Sequence, residues 1–466
     1  MLRTHTCGEL TISDAGKEII LCGWVEARRD HGKLIFIDIR DRQGITQVVF
    51  IPKEAPLAYE VAANLRSEFV IVLKGTVNPR PKGTINPKIP SGEIEILARE
   101  IEILNPSNTL PFEINGSIDV GEEIRLKYRY LDLRRPKMLN TIVLRHKLYQ
   151  SIRRFLDSQG FLEVETPILT KSTPEGARDF LVPSRLSPHE FYALPQSPQL
   201  FKQILMVSGI EKYFQIAKCF RDEDLRADRQ PEFTQLDMEM SFVNEEDIFK
   251  LTESLFSTIL KELKGIELTI PFKRMAYKEA MERYNNDKPN LRTEQEEFAF
   301  VWIIDFPLFK YNNEEKRWES EHHPFTAPHQ EDSAALETPE LTKIRSRSYD
   351  LVLNGNEIAS GSIRIHDQNL QGKIFKILGL SEEETKAKFG FLLEAFTFGA
   401  PPHGGIAFGL DRLLAILTGC SSIREVIAFP KTQKGLCPMT QAPSQVTEKQ
   451  LNEVNLTHKK TAIKSP

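Results

Sequence analysis

The residues of this chain that are best suited to chemistry lie in a charged segment, residues 220–235. The segment contains three arginines and five acidic residues, and the apolar patterns on either side predict that it joins two strands. An arginine carried by a strand can direct its planar fork of donors at a phosphate or a carboxylate. A solvated loop between strands would have the same composition, and most charge-rich loops are of that kind. The segment therefore suggests an anion site, and other segments must show which anion.

Three other segments have residue types that suit ligand binding. Residues 173–179 are a polar, turn-rich loop, and residues 196–202 place amides and a lysine at a predicted strand-to-helix turn. In residues 404–412, glycines would let the backbone approach a ligand closely, and Arg412 follows at the start of a predicted helix. Each pattern is common in unrelated proteins, so none of them identifies a function alone.

The sequence patterns around these segments predict helices and strands of an α+β domain, which would position them. An apolar stripe at residues 144–156 predicts a helix that ends near Gly160, and residues 161–167 predict a strand stopped by its final proline. Residues 236–242 alternate apolar and acidic side chains, which predicts a half-buried strand. Later strands, which the pattern indicates are antiparallel, alternate with helices, and Ser381 begins one of these helices with a capping box.

The first 105 residues predict a small barrel of short strands, of which the five-stranded OB-fold is one type. In residues 34–39, the alternation would place three isoleucines inside the barrel and Phe36 outside. Phe36 would then lie beside the basic residues Arg28, Arg29, His31 and Lys33. An exposed aromatic ring among cations suits an unpaired base, and a ring packed under a loop explains the pattern equally well.

The stretch between these parts, residues 106–138, predicts a hinge. Its basic, tyrosine-containing section, residues 123–137, fits either contact with a nucleic-acid backbone or the solvated face of a helix. The whole chain carries a net charge of −4, so contact with nucleic acid would depend on local basic patches. The five cysteines are scattered, which argues against a disulfide framework and a zinc site. With no apolar signal core or membrane-length run, the sequence predicts a cytoplasmic protein.

Residues 161–167, 220–235 and 404–412 together resemble the three class-defining motifs of the bacterial-type aspartyl-tRNA synthetases, a class II family. The resemblance extends over residues 2–445 and implies an α+β architecture with two main domains. It implies an OB-fold anticodon-binding barrel at residues 1–105, a hinge at 106–138, a class II catalytic domain with an antiparallel sheet flanked by helices at 139–445, and a polar tail at 446–466. A homodimer formed through residues 161–167 is implied as well.

The resemblance implies a reaction in which the carboxylate of aspartate attacks the α-phosphate of ATP and pyrophosphate leaves. Both reactants are anionic, so the site must supply positive charge and positioning. Arg221 would hold the α-phosphate and Arg412 the γ-phosphate. Asp350 and Glu357 would bind Mg²⁺, a hard ion that prefers oxygen ligands. The implied ATP-binding residues are Arg221, Glu223, Gln230, Glu357, Gly409, Leu410, Asp411 and Arg412.

The resemblance also implies a pocket for aspartate. Arg364 would clamp the side-chain carboxylate, assisted by Lys202 and by His322 or His323. Without the resemblance, the histidine pair would indicate only two rings that are satisfied in a turn. The residues implied to receive the α-ammonium group, directly or through neighbours, are Glu175, Ser197, Gln199 and Asp237. This much positive charge around the substrate side chain favours aspartate over asparagine.

The implied anticodon contacts lie on the barrel, at Arg29, His31, Phe36, Gln47 and Gly83. His31 and Gly83 resemble the pattern of members that charge both tRNA(Asp) and tRNA(Asn) with aspartate. The two anticodons differ at one base, so a small change near Phe36 and Gln47 can relax the discrimination between them. The sequence departs from bacterial members where residues 283–292 run almost directly into residues 301–307. The large inserted domain that such members usually carry is missing there.

Several alternative functions share parts of this pattern. A ligase that charges tRNA(Asp) alone, an asparaginyl-tRNA synthetase and a lysyl-tRNA synthetase differ from the first interpretation only in the substrate they accept. A nucleic-acid-binding module with an inactive synthetase domain would not retain all the implied phosphate and substrate residues. A tRNA-independent, amide-forming relative would have no use for a barrel with Phe36 and Gln47.

Overall fold

The computed structural model describes residues 2–115, 119–173 and 176–457. The chain divides into two compact units, Met1–Val120 and Gly121–Pro466. The division falls within the stretch that the sequence suggests as a hinge. Among the residues that the structure describes, no helix is both long enough and apolar enough to cross a membrane.

The first unit is a closed five-stranded barrel with the strand order β1-β2-β3-β5-β4, so the predicted barrel is confirmed. Its strands and the helix that lies between β3 and β4 are β1 Glu18–His31, β2 Leu34–Arg40, β3 Ile45–Phe50, α1 Pro56–Ala63, β4 Val70–Pro79 and β5 Ile94–Asn105. Neighbouring strands are antiparallel except β3 and β5, which are parallel. Ile35, Ile37 and Ile39 are buried in the barrel core, as the alternation of β2 predicts.

The second unit is built on an eight-stranded sheet with the order β11-β12-β15-β16-β17-β10-β9-β6. Its strands are β6 Leu162–Glu163, β9 Lys212–Phe220, β10 Glu232–Ser241, β11 Lys273–Ala276, β12 Phe300–Ile304, β15 Ser348–Leu353, β16 Asn356–Ile363 and β17 His403–Gly409. Two small hairpins pair β7 Leu181–Pro183 with β8 Phe191–Ala193 and β13 Phe309–Asn312 with β14 Arg317–Ser320. The sheet is antiparallel except at its two edges, where β11 pairs with β12 and β6 pairs with β9 in parallel.

Helices cover this sheet. They are α2 Glu122–Lys127, α3 Arg129–Asp132, α4 Pro136–Ser158, α5 Gln199–Val207, α6 Glu245–Lys264, α7 Tyr277–Tyr284, α8 Gln368–Ile377, α9 Glu382–Phe396, α10 Leu410–Thr418 and α11 Glu448–Glu453. Short 3-10 turns span Ile12–Asp14, Gln330–Glu337, Leu341–Lys343 and Ile423–Glu425. The main core packs α4, α6 and α10 against the sheet, with Ile152, Phe256, Trp302 and Leu414 fully buried. The capping box at Ser381 is confirmed.

Two predicted strands differ from the structure. The strand expected over residues 161–167 is only Leu162–Glu163, because regular pairing with β9 at the sheet edge stops after these two residues. The strand expected to be half-buried, at residues 236–242, belongs to β10, and its acidic residues are as buried as its apolar ones. The acidic side chains can be buried because they face buried cations, which are described below.

The basic section at residues 123–137 is in part structural. Arg129 is 2% exposed, and its guanidinium donates to the backbone carbonyls of Arg424, Ile427 and Ala428 and to the Asp132 carboxylate. A buried guanidinium needs this number of acceptors, because an unsatisfied buried charge is costly. Arg129 therefore fits neither contact with a nucleic-acid backbone nor the solvated face of a helix, the two explanations that the sequence suggests for this section.

Candidate active site

A cavity of about 780 Å³ opens on the second unit, over the central strands of the sheet. It is lined by the loop between β9 and β10, by the first half of β10, and by residues of α5, β16 and the start of α10. The predicted site residues that line it are Ser197, Gln199, Lys202, Arg221, Glu223, Gln230, Asp237, His322, His323, Glu357, Arg364, Gly409, Asp411 and Arg412. Glu175 lies outside the described residues, and Asp350 and Leu410 do not line the cavity.

The sheet topology brings these distant segments together. β10 lies between β9 and β17, and β17 lies between β10 and β16, so residues 220–235, residues 404–412 and residue 364, which directly follows β16, come together. Gln235 pairs with Gly409, and Ala359 pairs with Phe408, which sets the end of β10 and the middle of β16 beside the start of α10. Arg412 in the first turn of α10 therefore reaches the same cavity as Arg221 at the end of β9.

A buried cluster of four charges forms the deep end of the cavity. The Lys202 ammonium lies 2.7 Å from Asp237 and 3.2 Å from Glu239, and Glu239 accepts two hydrogen bonds from Arg364 at 3.0 and 3.2 Å. All four residues are at most 4% exposed. Two cations and two anions balance each other, which is the condition for burying charge. Glu239 is not among the predicted site residues, because its alternation with apolar residues indicates a solvent-facing side chain.

Within the described ranges, the hydrogen bonds of Arg364 use three of its five N–H donors. Its Nε and Nη2 atoms donate to Glu239, and Nη1 donates to the Ser362 hydroxyl at 2.6 Å. A guanidinium has one N–H on Nε and two on each terminal nitrogen, so one N–H remains on Nη1 and one on Nη2. These two donors suit an end-on, bidentate contact with a carboxylate.

The charges of the cluster are fixed by their neighbours. Burial alone would raise the pKa of Glu239, but the charges of Arg364 and Lys202 outweigh it and place that pKa at about 2. Burial raises the pKa of Asp237, against the opposing effect of Lys202. Although Asp237 lies near Lys202, neither of its oxygens makes an aligned hydrogen bond in the described part of the chain. Oδ1 of Asp237 is ion-paired with Lys202, and Oδ2 is the oxygen that can accept from a second cationic donor.

The histidine pair is not simply satisfied in a turn. Nδ1 of His323 accepts from the Phe325 backbone N–H at 3.2 Å, which leaves Nε2 as the protonated nitrogen of the neutral ring. Nε2 of His322 and Nε2 of His323 are both buried without a hydrogen-bond partner among the described residues. Burial lowers the pKa of His322 to about 4 and holds the pKa of His323 well below its usual range. At neutral pH the pair presents neutral rings to the cavity.

The two arginines predicted to bind phosphate differ in their contacts. Nε of Arg221 is buried without a hydrogen-bond partner, and its guanidinium lies 5.1 Å from the centre of the Phe233 ring. Arg412 donates from Nη1 to the Glu357 backbone carbonyl and lies 3.3 Å from the Asp228 carboxylate. Within the described ranges, no acidic side chain forms a salt bridge with Arg221. Its positive charge is the more available of the two.

Other predicted nucleotide contacts have structural roles. Glu223 forms a salt bridge with Arg229 at 2.6 Å, and both ends of the Gln230 amide bond the backbone of Lys431. The Asp411 carboxylate accepts from Arg145 at 2.5 Å and from the Thr234 backbone N–H at 2.8 Å. Asp411 therefore ties α4 and β10 to α10, and each of its carboxylate oxygens already accepts one hydrogen bond within the protein.

Positions 405, 409 and 410 differ in how much space they leave for a ligand. The side chain of Leu410 is fully buried in the main core, so only its backbone could reach a ligand. The glycine at position 405 makes room for the protein itself: a Cβ there would lie 1.9 Å from Oε2 of Glu239. A Cβ on Gly409 would make only ordinary contacts, the nearest at 3.8 Å to Arg412. Of these glycines, only Gly409 leaves space beside the cavity.

The two carboxylates predicted to hold a metal lie on the neighbouring strands β15 and β16, and of the two only Glu357 lines the cavity. Asp350 is 4% exposed, and its Oδ1 has no hydrogen-bond partner among the described residues. Burial, followed by the negative charge of Glu357, raises the pKa of Asp350 well above its usual range. Oε2 of Glu357 lies 2.7 Å from the ammonium of Lys288, a residue that the sequence analysis did not predict to be in the site. An unpartnered buried oxygen beside a second carboxylate fits a hard divalent cation.

The described residues contain no group of three or more acidic, histidine or cysteine side chains arranged to hold a metal ion. A cation at Asp350 and Glu357 would therefore need additional ligands, such as phosphate oxygens and water.

A second group of predicted residues lies on the barrel surface. Arg29 forms two hydrogen bonds with Asp38 at 2.6 and 2.8 Å, and Gln47 donates to Glu95 at 3.0 Å. Nη2 of Arg29 lies 3.5 Å from Oε1 of Gln47, which joins the two pairs. The sequence analysis identified neither Asp38 nor Glu95 as a partner here.

The aromatic residue of this surface is half-buried. Phe36 contacts the His31 ring edge-on, with 5.7 Å between the ring centroids. Gly83 has a φ of +87°, a left-handed conformation that favours glycine, in the turn at residues 81–84. The barrel therefore presents an aromatic ring next to polar groups that can pair with a base edge.

Each of the two units matches the model of a known protein family. Residues 121–433 match the family model of class II tRNA synthetases (D, K and N), and residues 19–104 match the OB-fold nucleic acid binding domain. The chain belongs to the class II tRNA synthetases. It is therefore an ATP-dependent ligase whose substrates include an amino acid and tRNA.

Curated relatives of this synthetase are similar along the whole chain. The aspartate–tRNA(Asp/Asn) ligase of Syntrophomonas wolfei is 46% identical, with 98% of this chain and 99% of the relative covered. The ligase of the same name from Natranaerobius thermophilus is 47% identical at the same coverage. The Syntrophomonas alignment extends over 582 positions, whereas this synthetase has 466 residues, so more than a hundred positions have no counterpart here. This agrees with a missing inserted domain.

Solved structures show the same fold. The asparaginyl-tRNA synthetase of Pyrococcus horikoshii, complexed with asparaginyl-adenylate, superposes with a TM-score of 0.76 over 93% of this chain and 99% of that one. The aspartyl-tRNA synthetase of Entamoeba histolytica superposes with a TM-score of 0.70 over 91% and 90%. Sequence identity is 24% in both cases, so these likenesses establish the fold alone.

Proposed function

We propose that this synthetase activates L-aspartate with ATP and transfers it to the 3′ end of tRNA(Asp) and of tRNA(Asn). The choice of aspartate rests on Arg364, which has two N–H donors not used by the described residues. Arg364 lines the same cavity as Lys202. A carboxylate pairs with this arrangement, whereas an amide would place its own donors against cations. The curated ligases at 46–47% identity support the same choice.

In the first step, an oxygen of the α-carboxylate of aspartate forms a bond to the α-phosphorus of ATP, and the bond from that phosphorus to pyrophosphate breaks. Arg221 holds the α-phosphate and stabilises the charge that develops there, while Arg412 holds the γ-phosphate. Asp350 and Glu357 would hold Mg²⁺, which supplies positive charge to the phosphates when bound. In the second step, the terminal ribose hydroxyl of tRNA attacks the aspartyl carbonyl and AMP leaves.

The rest of the cavity orients the amino acid. Asp237 receives the α-ammonium group, since its oxygens lack aligned donors, and Ser197 and Gln199 at the start of α5 assist it. Glu175 is proposed for the same role from the family pattern. The neutral rings of His322 and His323 exclude water around the Arg364 clamp, and each offers a nitrogen to the substrate.

The experiment that tests the amino acid is exchange of labelled pyrophosphate into ATP. Exchange is expected with aspartate, and neither asparagine nor lysine should support it, because neither pairs its side chain with the Arg364 and Lys202 cations. Exchange that depends on asparagine or lysine would replace this proposal with another member of the same group. The same assay shows whether the synthetase domain is active.

The proposal for tRNA(Asn) rests on His31 and Gly83 and on the names of the curated relatives. Aspartylation of the two tRNA transcripts, measured in parallel, tests it. Both transcripts should accept aspartate, and His31→Leu should lower charging of tRNA(Asn) more than charging of tRNA(Asp). Charging of tRNA(Asp) alone would identify a discriminating enzyme.

Replacing Phe36 by alanine is expected to weaken tRNA binding without affecting the first step. Loss of one base–aromatic stack costs about 1–3 kcal/mol, so KM for tRNA should rise roughly tenfold to a hundredfold. Pyrophosphate exchange should be unchanged, because it needs no tRNA. Tyr311→Ala, which removes an exposed ring of the second unit, is the matched control. An unchanged KM for tRNA in Phe36→Ala would remove Phe36 from the anticodon site.

We also propose a cytoplasmic homodimer, formed around residues 161–167. The edge strand β6 and the residues after it expose Leu162, Ile168 and Leu169, each at least half accessible. Light scattering should give about twice the chain mass of 53.3 kDa, and a monomer at working concentrations would count against it.

A further inference from the structure

Lys288 enters the nucleotide end of the cavity from the connection between α7 and β12. This connection contains no helix or strand, yet it is held in place. Oδ1 of Asn286 accepts from the Lys288 backbone N–H at 2.8 Å, and Oδ1 of Asn290 accepts from Arg292 at 3.1 Å. The turn at Gly355, between β15 and β16, packs against Asn290, where an added Cβ would lie 3.2 Å away. The Asn290 end of the segment is therefore packed against the turn that precedes β16, and the Asn286 end is shaped by a hydrogen bond within the segment itself.

The Lys288 ammonium contacts the side chain of Glu357, and Arg412 contacts its backbone. Nζ of Lys288 lies 2.7 Å from Oε2, and Nη1 of Arg412 donates to the Glu357 carbonyl at 2.5 Å. All three residues line the cavity. In the described part of the chain, Lys288 is the residue that forms a salt bridge with Glu357.

We propose that Lys288 is a further positioning residue of the nucleotide site, which orients the Glu357 carboxylate and adds positive charge for the polyphosphate. The inference rests on the proposed function, because it uses Glu357 and Arg412 as nucleotide-site residues. A carboxylate turned towards solvent could not serve a cation beside Asp350, and the fixed ammonium holds it towards the cavity. Once ATP is bound, the same ammonium lies within reach of the phosphates, where excluded water strengthens its effect.

A half-exposed ion pair with no functional role is the competing explanation. Many salt bridges of this exposure contribute little to stability, and removing one changes neither ligand binding nor folding appreciably. Lys343 offers a matched control, because its ammonium lies 2.7 Å from Glu340 in an exposed pair that does not line the cavity. The two explanations therefore predict different results for substitutions at Lys288 and Lys343.

The experiment compares K288M and K288R with K343M and the wild type. For K288M, KM for ATP in pyrophosphate exchange is expected to rise about tenfold, equivalent to about 1.4 kcal/mol, while KM for aspartate stays within about twofold. K288R should recover part of the loss, because it keeps the charge, and K343M should match the wild type. Calorimetric titration with ATP should show weaker binding to K288M both with Mg²⁺ and with EDTA.

The outcomes separate the inference from the proposed function. Unchanged ATP affinity in K288M, equal rises in both KM values, or failure of K288M to fold would each overturn the role of Lys288. Absence of aspartate-dependent exchange in the wild type would instead overturn the proposed function. The titrations with ATP alone would still report on Lys288 in that case.

Discussion

Replacing Arg364 by alanine is expected to lower kcat/KM for aspartate by roughly a thousandfold, equivalent to about 4 kcal/mol. The two N–H donors that remain on Nη1 and Nη2 would be lost together, and the substrate carboxylate would enter a buried pocket without its bidentate partner. ATP affinity, measured by calorimetry, should change little because Arg221 and Arg412 are unaltered. Equal losses for aspartate and ATP would contradict the assigned role.

The same substitution is expected to destabilise the protein, so stability must be measured alongside activity. Arg364→Ala would leave Glu239, which is fully buried, with Lys202 as its remaining cation. Removing one partner of a buried pair costs about 3–5 kcal/mol of unfolding free energy. Arg364→Lys keeps a charge in the cluster but cannot donate a fork of hydrogen bonds, so it should fold better and still bind aspartate poorly.

Arg347→Ala is the matched control. Arg347 also makes a bidentate contact with a glutamate, at 2.7 Å to each oxygen of Glu245, but it does not line the cavity. Its loss should lower the thermal midpoint and leave KM for aspartate within about twofold of the wild-type value. A fall in aspartate use as large as that of Arg364→Ala would show that the effect comes from general loosening of the sheet.

Acid unfolding gives an independent measure of the cluster. The pKa of Glu239 is about 2 in the folded protein, below its ordinary value of 4.5. A lowered folded-state pKa contributes stability that is present above pH 4.5 and is lost as the pH falls towards 2. Arg364→Ala removes the largest of the interactions that lower this pKa, so its acid transition should move to higher pH.

The sequence predicted the elements better than it predicted the charges they bury. Alternation in β2 was enough to place Ile35, Ile37 and Ile39 inside the barrel, because one strand face decides the pattern. The same rule failed for Glu239, because burial there depends on Lys202 and Arg364, which are distant in sequence and meet only in the folded sheet. Local patterns carry no information about such partners.

For the site residues, too, the sequence indicated which residues are present but not which partners they contact. The family pattern suggested Arg221, Arg364 and Lys202, and the structure places all three in one cavity. The family pattern could not indicate that the Asp411 carboxylate accepts a hydrogen bond from Arg145. It also could not indicate that Lys288 contacts Glu357 from a connection without secondary structure. These contacts join elements through side chains whose direction is set by tertiary packing.

Replacing Arg221 by alanine is expected to have the largest effect on the first chemical step. The Arg221 guanidinium is held above the Phe233 ring, and in the described residues it has no acidic partner, so its charge is available to a phosphate. Arg412 is different, because Asp228 lies 3.3 Å from it and must give way when a nucleotide binds. Loss of Arg221 should therefore affect the transition state more than the binding of ATP.

The expected result for Arg221→Ala is a fall in kcat for pyrophosphate exchange of about a hundredfold to a thousandfold, with KM for aspartate within about twofold. Arg221→Lys should recover only part of the rate, because an ammonium cannot present a planar fork to the phosphate oxygens. Arg226→Ala removes an exposed arginine from the same loop that does not line the cavity, and its exchange rate should equal that of the wild type. If Arg221→Ala raised KM for ATP at unchanged kcat, Arg221 would contribute ground-state binding alone, because an interaction made equally in both states does not accelerate the step.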